Sequence, residues 1–167
     1  MSRGFTILEV LIAIFILTTG IGGVYGLIHF TLSFTSTTHN QLVASYLAQE
    51  GVEIVRNIRD SNFLRIRAGV PGANWKDGID VPAGLCGGGC KTDYNDASLN
   101  PVSPLDPMLR DGTLWSYDSG VSTSFQRSIT ITPDGPNKIF LEVKVAWQER
   151  GEHSVIASSE LYNWLSP

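Results

Sequence analysis

Three stretches of this 167-residue sequence predict an α+β fold. Residues 5–34 form a nearly uncharged apolar run, and residues 35–60 keep a helical period while turning polar. Residues 125–167 alternate apolar and polar side chains between turn signals. The expected fold is one long N-terminal helix, membrane-spanning in its first half, packed on a small C-terminal antiparallel sheet of about three to four strands. Along the chain this gives a leader at 1–4, a transmembrane half-helix at 5–34, an amphipathic half-helix at 35–60, a loop-rich region at 61–124 and the sheet at 125–167.

The apolar run reads GFTILEVLIAIFILTTGIGGVYGLIHFTLSF from Gly4 to Phe34, and Glu9 is its one charged residue. At about 1.5 Å per residue it extends roughly 45 Å, where a bilayer core of about 30 Å needs only about 20 residues. Arg3 precedes the run, and the next positive charges are Arg56 and Arg59. That bias keeps the leader in the cytoplasm and places the remainder outside, across a membrane in a single pass. A secretory signal would have a shorter apolar core, followed by a small-residue cleavage site. Glu9 costs about 2.5 to 3.5 kcal/mol near the middle of a membrane helix, so it calls for a cation. Gly20, Gly22 and Gly23 either loosen the helix or admit close packing in lipid, as does Gly26, and the two readings are compatible.

Arg3, Gly4, Phe5 and Glu9 together form a short basic leader ending in glycine, an aromatic residue and a glutamate four residues further on. This start resembles that of type IV prepilins and type II secretion pseudopilins. The resemblance implies cleavage after Gly4 and methylation of the new amine on Phe5, both by a prepilin peptidase/N-methyltransferase. It implies that Glu9 acts in assembly by meeting the Phe5 amine of a neighbouring chain. Its expected partners are other pilin or pseudopilin subunits, the inner-membrane assembly platform and membrane lipid, with a pilus or pseudopilus filament as the destination. The plainer alternative is an anchor helix whose stray glutamate reaches the headgroups.

From Thr35 to Asp60 apolar residues recur at Ala44, Leu47, Ala48, Gly51, Ile54, Val55 and Ile58, at mostly three- and four-residue spacing. Gln41, Gln49, Glu53, Arg56, Asn57 and Asp60 lie mostly off that stripe. One helix is therefore expected from about Phe5 to Asp60. The stretch TTHNQLVASYLAQEGVEIVRNIRD also resembles the second half of a pilin helix.

Between Arg65 and Ser124, Gly, Pro, Asp, Asn and Ser dominate, with isolated large residues such as Trp75, Tyr94, Leu105, Trp115 and Tyr117. The region reads as loops with short extended pieces, one of them at Gly112–Tyr117. Pilin-like proteins vary most here, which implies partner contacts. Cys86 and Cys90 are the only cysteines. Outside the cytoplasm they suit a local disulfide, with free thiols as the alternative, while half a zinc site lacks two further ligands. Asp93-Tyr94-Asn95-Asp96 departs from a calcium loop at Ser98 and Pro104 and reads as a solvated turn, as Asp106 and Asp111 read as loop residues.

Ile129 and Ile131 alternate with Ser128, Thr130 and Thr132, Pro133–Asn137 supplies a turn, and residues 139–148 alternate again. After Arg150-Gly151-Glu152 a third strand is expected from His153 to Trp164. SITIT, FLEVKVAW and VIASSELYNW resemble the sheet of the smaller minor pilins and pseudopilins. The histidines, His29, His39 and His153, have no carboxylate or serine at triad spacing, and no nucleotide, zinc-protease or hydrolase fingerprint occurs. No catalytic residue, metal ligand or cofactor is expected. A net charge of -4 gives no bulk attraction to nucleic acid. The function expected is a structural subunit, a minor one given the modest head. Its rival is a single-pass membrane-anchored protein with an uncleaved anchor and an extracytoplasmic head that binds a ligand or catalyses a reaction.

Overall fold

The computed structural model describes residues 4, 6–81, 86, 89–101 and 106–165, with the Ser33 side chain outside that set. Among the described residues one helix, α1, runs from Ile7 to Arg67, and eight strands follow. The chain divides into two compact units, Met1–Asn40 and Gln41–Pro167.

The first unit is the N-terminal part of α1. The helix passes through Gly20, Gly22 and Gly23 without interruption. Thr18, Thr19, Thr31, Thr35 and Thr38 each turn a hydroxyl back onto the carbonyl four residues earlier, at 2.8–3.0 Å. In lipid this matters, because a hydroxyl with no partner there has no water to turn to.

In the second unit the rest of α1 packs on a sheet. The long strands are β6 (Phe125–Pro133), β7 (Lys138–Gln148) and β8 (Glu152–Tyr162). β6 and β7 pair from Phe125↔Trp147 to Pro133↔Ile139, and β7 and β8 from Lys138↔Tyr162 to Gln148↔Glu152. Gly135, at φ 78°, turns the first hairpin, and Arg150, at φ 53°, the second. The short strands β1 (Cys90–Lys91) and β2 (Asn100–Pro101) add to the β6 side, giving the order β2-β1-β6-β7-β8. The sheet therefore has five strands where about three to four were expected. β3 (Leu109–Asp111), β4 (Leu114–Ser116) and β5 (Val121–Ser122) form a separate sheet in the order β4-β3-β5.

Every residue of the expected stripe from Ala44 to Ile58 is buried. It meets the inward rows of the sheet, with Ile129 on β6, Leu141, Val143 and Val145 on β7 and Leu161 on β8 in the same core. Gly51 is required by this packing. A Cβ there would stand 2.8 Å from Val143 Cγ1 and 3.2 Å from Arg127 Cδ.

The helix ends at Arg67, one to two turns beyond the expected Asp60, because its buried face continues through Asn62 and Phe63. The Asn62 amide donates to the Trp75 and Asp77 carbonyls at 3.3 and 2.7 Å, so the polar side chain holds the following loop against the helix. The stop is a left-handed glycine, Gly69 at φ 74°, with Gly69 N–H donating to Ile66 O and Val70 N–H to Arg65 O.

Candidate functional site

Two places concentrate polar chemistry, the start of α1 and the centre of the second unit. At the first, Gly4 is exposed and Phe5, the expected methylation site, lies outside the described residues. Thr6 caps the helix: the Glu9 N–H donates to its hydroxyl at 3.3 Å and its carbonyl at 3.1 Å. Thr6 with Glu9 three residues on is the capping-box pattern, a signal present in the sequence that the reading above did not use. The Glu9 carboxylate forms no ion pair among the described residues. It flanks a shallow apolar depression of about 380 Å³ lined by Val10, Ala13, Ile14 and Leu17. An exposed carboxylate on an apolar surface is suited to meeting a cation from outside the chain.

At the second place Arg127 is fully buried. Alternation along β6 explains it, since Phe125, Arg127 and Ile129 share the inward face. Its Nη2 donates to Thr92 O at 2.7 Å and Nη1 to Leu47 O at 3.3 Å, with Glu50 Oε2 3.8 Å from Nη1. The Tyr117 hydroxyl donates to Arg127 O at 2.9 Å, and Tyr117 N–H donates to Asp93 Oδ2 at 2.9 Å. One guanidinium thus ties α1, the turn after β1 and β6 together, with the segment after β4 joined through Tyr117.

Burial pushes the Glu50 carboxyl above the usual carboxylate range, Arg127 pulls it back in part, and Asp93 adds to the rise. Asp93 is likewise raised, chiefly by burial, against the Tyr117 N–H bond. Asp93 is thus a buried acceptor rather than the solvated turn residue expected. It closes its own turn through Asp96, which accepts its N–H at 2.9 Å. Tyr94 is exposed. Asp106 pairs with Lys91 at 3.0 Å, and Asp111 is an exposed residue of β3.

Cys86 and Cys90 are joined in a disulfide. Cys90 lies opposite Ile129 in the sheet, so the bridge holds Cys86 to the strand that pairs with β6. His29 packs edge-on against Tyr25, His39 is exposed on α1, and His153 stacks on Trp147 with Nε2 3.0 Å from Glu149 O. The structure brings none of these histidines into the Arg127 cluster.

The start of the chain, including the beginning of α1, is the region that is similar to a known family. Residues 1–25 match the prokaryotic N-terminal methylation motif. They carry the signal motif of type IV pilins and pseudopilins. Comparison of the chain with curated proteins and with solved structures found no match. The prepilin motif supports a type IV pilin-like protein processed by a prepilin peptidase. With the long apolar helix it fits a membrane-anchored pilin that later assembles with other pilin subunits into a filament.

Proposed function

We propose that this chain is a minor structural subunit of a type IV pilus or pseudopilus, cut after Gly4 and N-methylated at Phe5. The observation that carries the reading is a long apolar helix, exposed throughout its most apolar stretch, beginning within the methylation motif. Such a surface needs lipid before assembly and neighbouring helices after it. The leader stays in the cytoplasm and the head stands outside, because Arg3 precedes the run and no further basic residue follows until Arg56. Glu9 is costly alone in lipid, and the Phe5 amine of a neighbour satisfies it in the filament. The modest head supports an initiating or tip-located role.

Glu9→Val tests this mechanism. The variant is expected to insert and to be cleaved, yet to enter filaments poorly, and normal incorporation into purified filaments would overturn the role given to Glu9. The mass of the N-terminal peptide from membranes of the native host tests the processing. A peptide beginning at Phe5 with one added methyl supports it, and one retaining Met1–Gly4 in mature membranes favours the uncleaved anchor.

A further inference from the structure

The two sides of the five-stranded sheet are finished differently. On the β6 side the edge is covered: Cys90 pairs with Ile129, the Tyr117 hydroxyl donates to Arg127 O, and Met108 N–H donates to Phe125 O. The outermost strand there, β2, is two residues long and contains Pro101. On the other side β8 has 11 residues, no proline, no lysine or arginine, and an unbroken register with β7. A short edge strand, proline and edge charges are devices by which sheets commonly prevent strand addition, and of these β8 has only the carboxylates of Glu152 and Glu160.

The parity of β8 shows which of its backbone groups have no ladder partner among the described residues. Asn163 N–H donates to Asn137 O, and Glu149 N–H to Gly151 O, on the same register as the β7–β8 ladder. In an antiparallel pair alternate residues exchange both bonds, so the odd-numbered residues of β8 face β7. The N–H and C=O groups of Glu152, Ser154, Ile156, Ser158, Glu160 and Tyr162 therefore point off the sheet. The inward side chains are also less covered than on β7: His153, Val155, Ala157 and Ser159 are only half-buried, whereas all five inward residues of β7 are buried.

We infer that β8 is a docking edge for one antiparallel strand of a different polypeptide. That strand carries β-branched apolar residues inward, against Val155 and Ala157, and a lysine or arginine outward, opposite Glu152. Glu160 is already held by Lys138 and the Tyr162 hydroxyl, but Glu152 forms no ion pair among the described residues and takes the incoming cation. A second copy of this chain fits less well. Symmetric pairing about Ala157 sets Glu152 opposite Tyr162 and gives it no cation. Head-to-tail pairing of copies would have to use β2, which is too short and carries a proline.

The experiment uses the full chain in detergent micelles and a fluorescent peptide as long as β8, 11 residues. The probe alternates threonine and valine and ends in lysine, so that lysine falls opposite Glu152 and the valines face inward. N-methylation of every valine leaves its pairing edge intact and blocks stacking of the peptide on itself. A control methylated instead on the alternate residues has its pairing edge blocked.

The first peptide is expected to raise anisotropy on binding, and the control to give no signal. Ser158→Pro removes an outward N–H and no ladder bond, so it is expected to leave the tryptophan-detected urea unfolding curve in place while weakening binding about tenfold. Glu152→Lys is expected to weaken the lysine peptide and to strengthen one ending in glutamate. Equal binding of both methylated peptides, or an affinity indifferent to Ser158→Pro, overturns the inference. So does a concentration-dependent dimer in sedimentation that Ser158→Pro abolishes, because the occupant is then a second copy. Peptide binding is read without a filament, so its failure is distinct from failure of the assembly role given to Glu9.

Discussion

The two ends of α1 pose the same problem and solve it in opposite ways. From Ile7 to Phe34 the large apolar side chains are 45–83% exposed, on every side of the helix. From Ala44 to Ile58 the apolar stripe is 0–8% exposed, because the sheet covers it. One end is self-sufficient. The other is a surface whose cover comes from outside the chain, from lipid or from other helices. Helical propensity has little to do with the distinction, since the helix is continuous. What differs is whether the polar residues are gathered on one face, as at Gln49, Glu53 and Asn57, or nearly absent, as between Val10 and Thr18.

A carboxylate placed at each end should separate these two kinds of stability. All four tryptophans, at 75, 115, 147 and 164, lie in the second unit, so their fluorescence in a urea titration reports that unit. Val55→Asp puts a charge with no partner into the core and is expected to cost more than about 4 kcal/mol, enough to leave the unit largely unfolded. Membrane insertion, read by fractionation, should be unchanged. Leu17→Asp should do the reverse: insertion weakens by about 3 kcal/mol, while the urea midpoint of the tryptophan signal stays in place. If Leu17→Asp also shifts that midpoint, the two ends are not energetically separate.

Arg127 breaks the rule that the covered end is apolar, and size can be separated from charge there. Arg127→Ala leaves a cavity and strands Thr92 O, Glu50 and Asp93 without their cation, at an expected cost of about 3 kcal/mol. Arg127→Met restores the volume, and should recover at least about 1 kcal/mol of that loss in the same titration. A methionine variant as unstable as the alanine one would mean that the charge, and not the filling, holds the cluster. Gly51→Ala is smaller in effect. The alanine gains about 1 kcal/mol of helix propensity but presses on Val143 and Arg127, and overpacking costs about 1 to 3 kcal/mol, so a net loss of about 1 kcal/mol is expected. A gain would mean that Val143 moves aside freely.

The legible parts of the molecule were those with a period. The stripe from Ala44 to Ile58 and the alternation of Ile139 to Trp147 each repeat often enough for one face to declare itself. The end of the helix was hidden because Asn62 looks like a surface residue and is buried by bonding two loop carbonyls. The strands β1 and β2, at two residues each, have no period to read. Arg127 stood in plain alternation between Phe125 and Ile129, yet a charged residue is read as outward-facing unless its partners are visible. Those partners, Leu47, Glu50 and Thr92, are 80, 77 and 35 residues away in sequence. At the N-terminus the motif itself was legible because its residues sit within one turn or two of each other. The Thr6 cap lies in the same few residues, but its signal is the spacing from Thr6 to Glu9, and the charge of Glu9 in an apolar run is the stronger feature of that pair.

The smallest expected effect concerns the protons of the Arg127 cluster. Glu50 and Asp93 titrate above the usual carboxylate range in the folded unit, burial being the main cause in both. Between the ordinary values near 4 and the raised ones, the folded unit therefore binds more protons than the unfolded chain. The stability these two groups contribute is fully present below the ordinary range and falls as the pH rises through their folded values. This is opposite in sign to a carboxylate whose pKa a salt bridge has lowered. Glu50→Gln removes one of the two titrations, so the decline of the urea midpoint with rising pH should become shallower. If the wild-type midpoint instead rises across that window and Glu50→Gln abolishes the rise, attraction to Arg127 outweighs burial at Glu50. The cluster would then be an ion pair that stabilises the fold, and not a buried arginine whose nearby acids are costly to ionise.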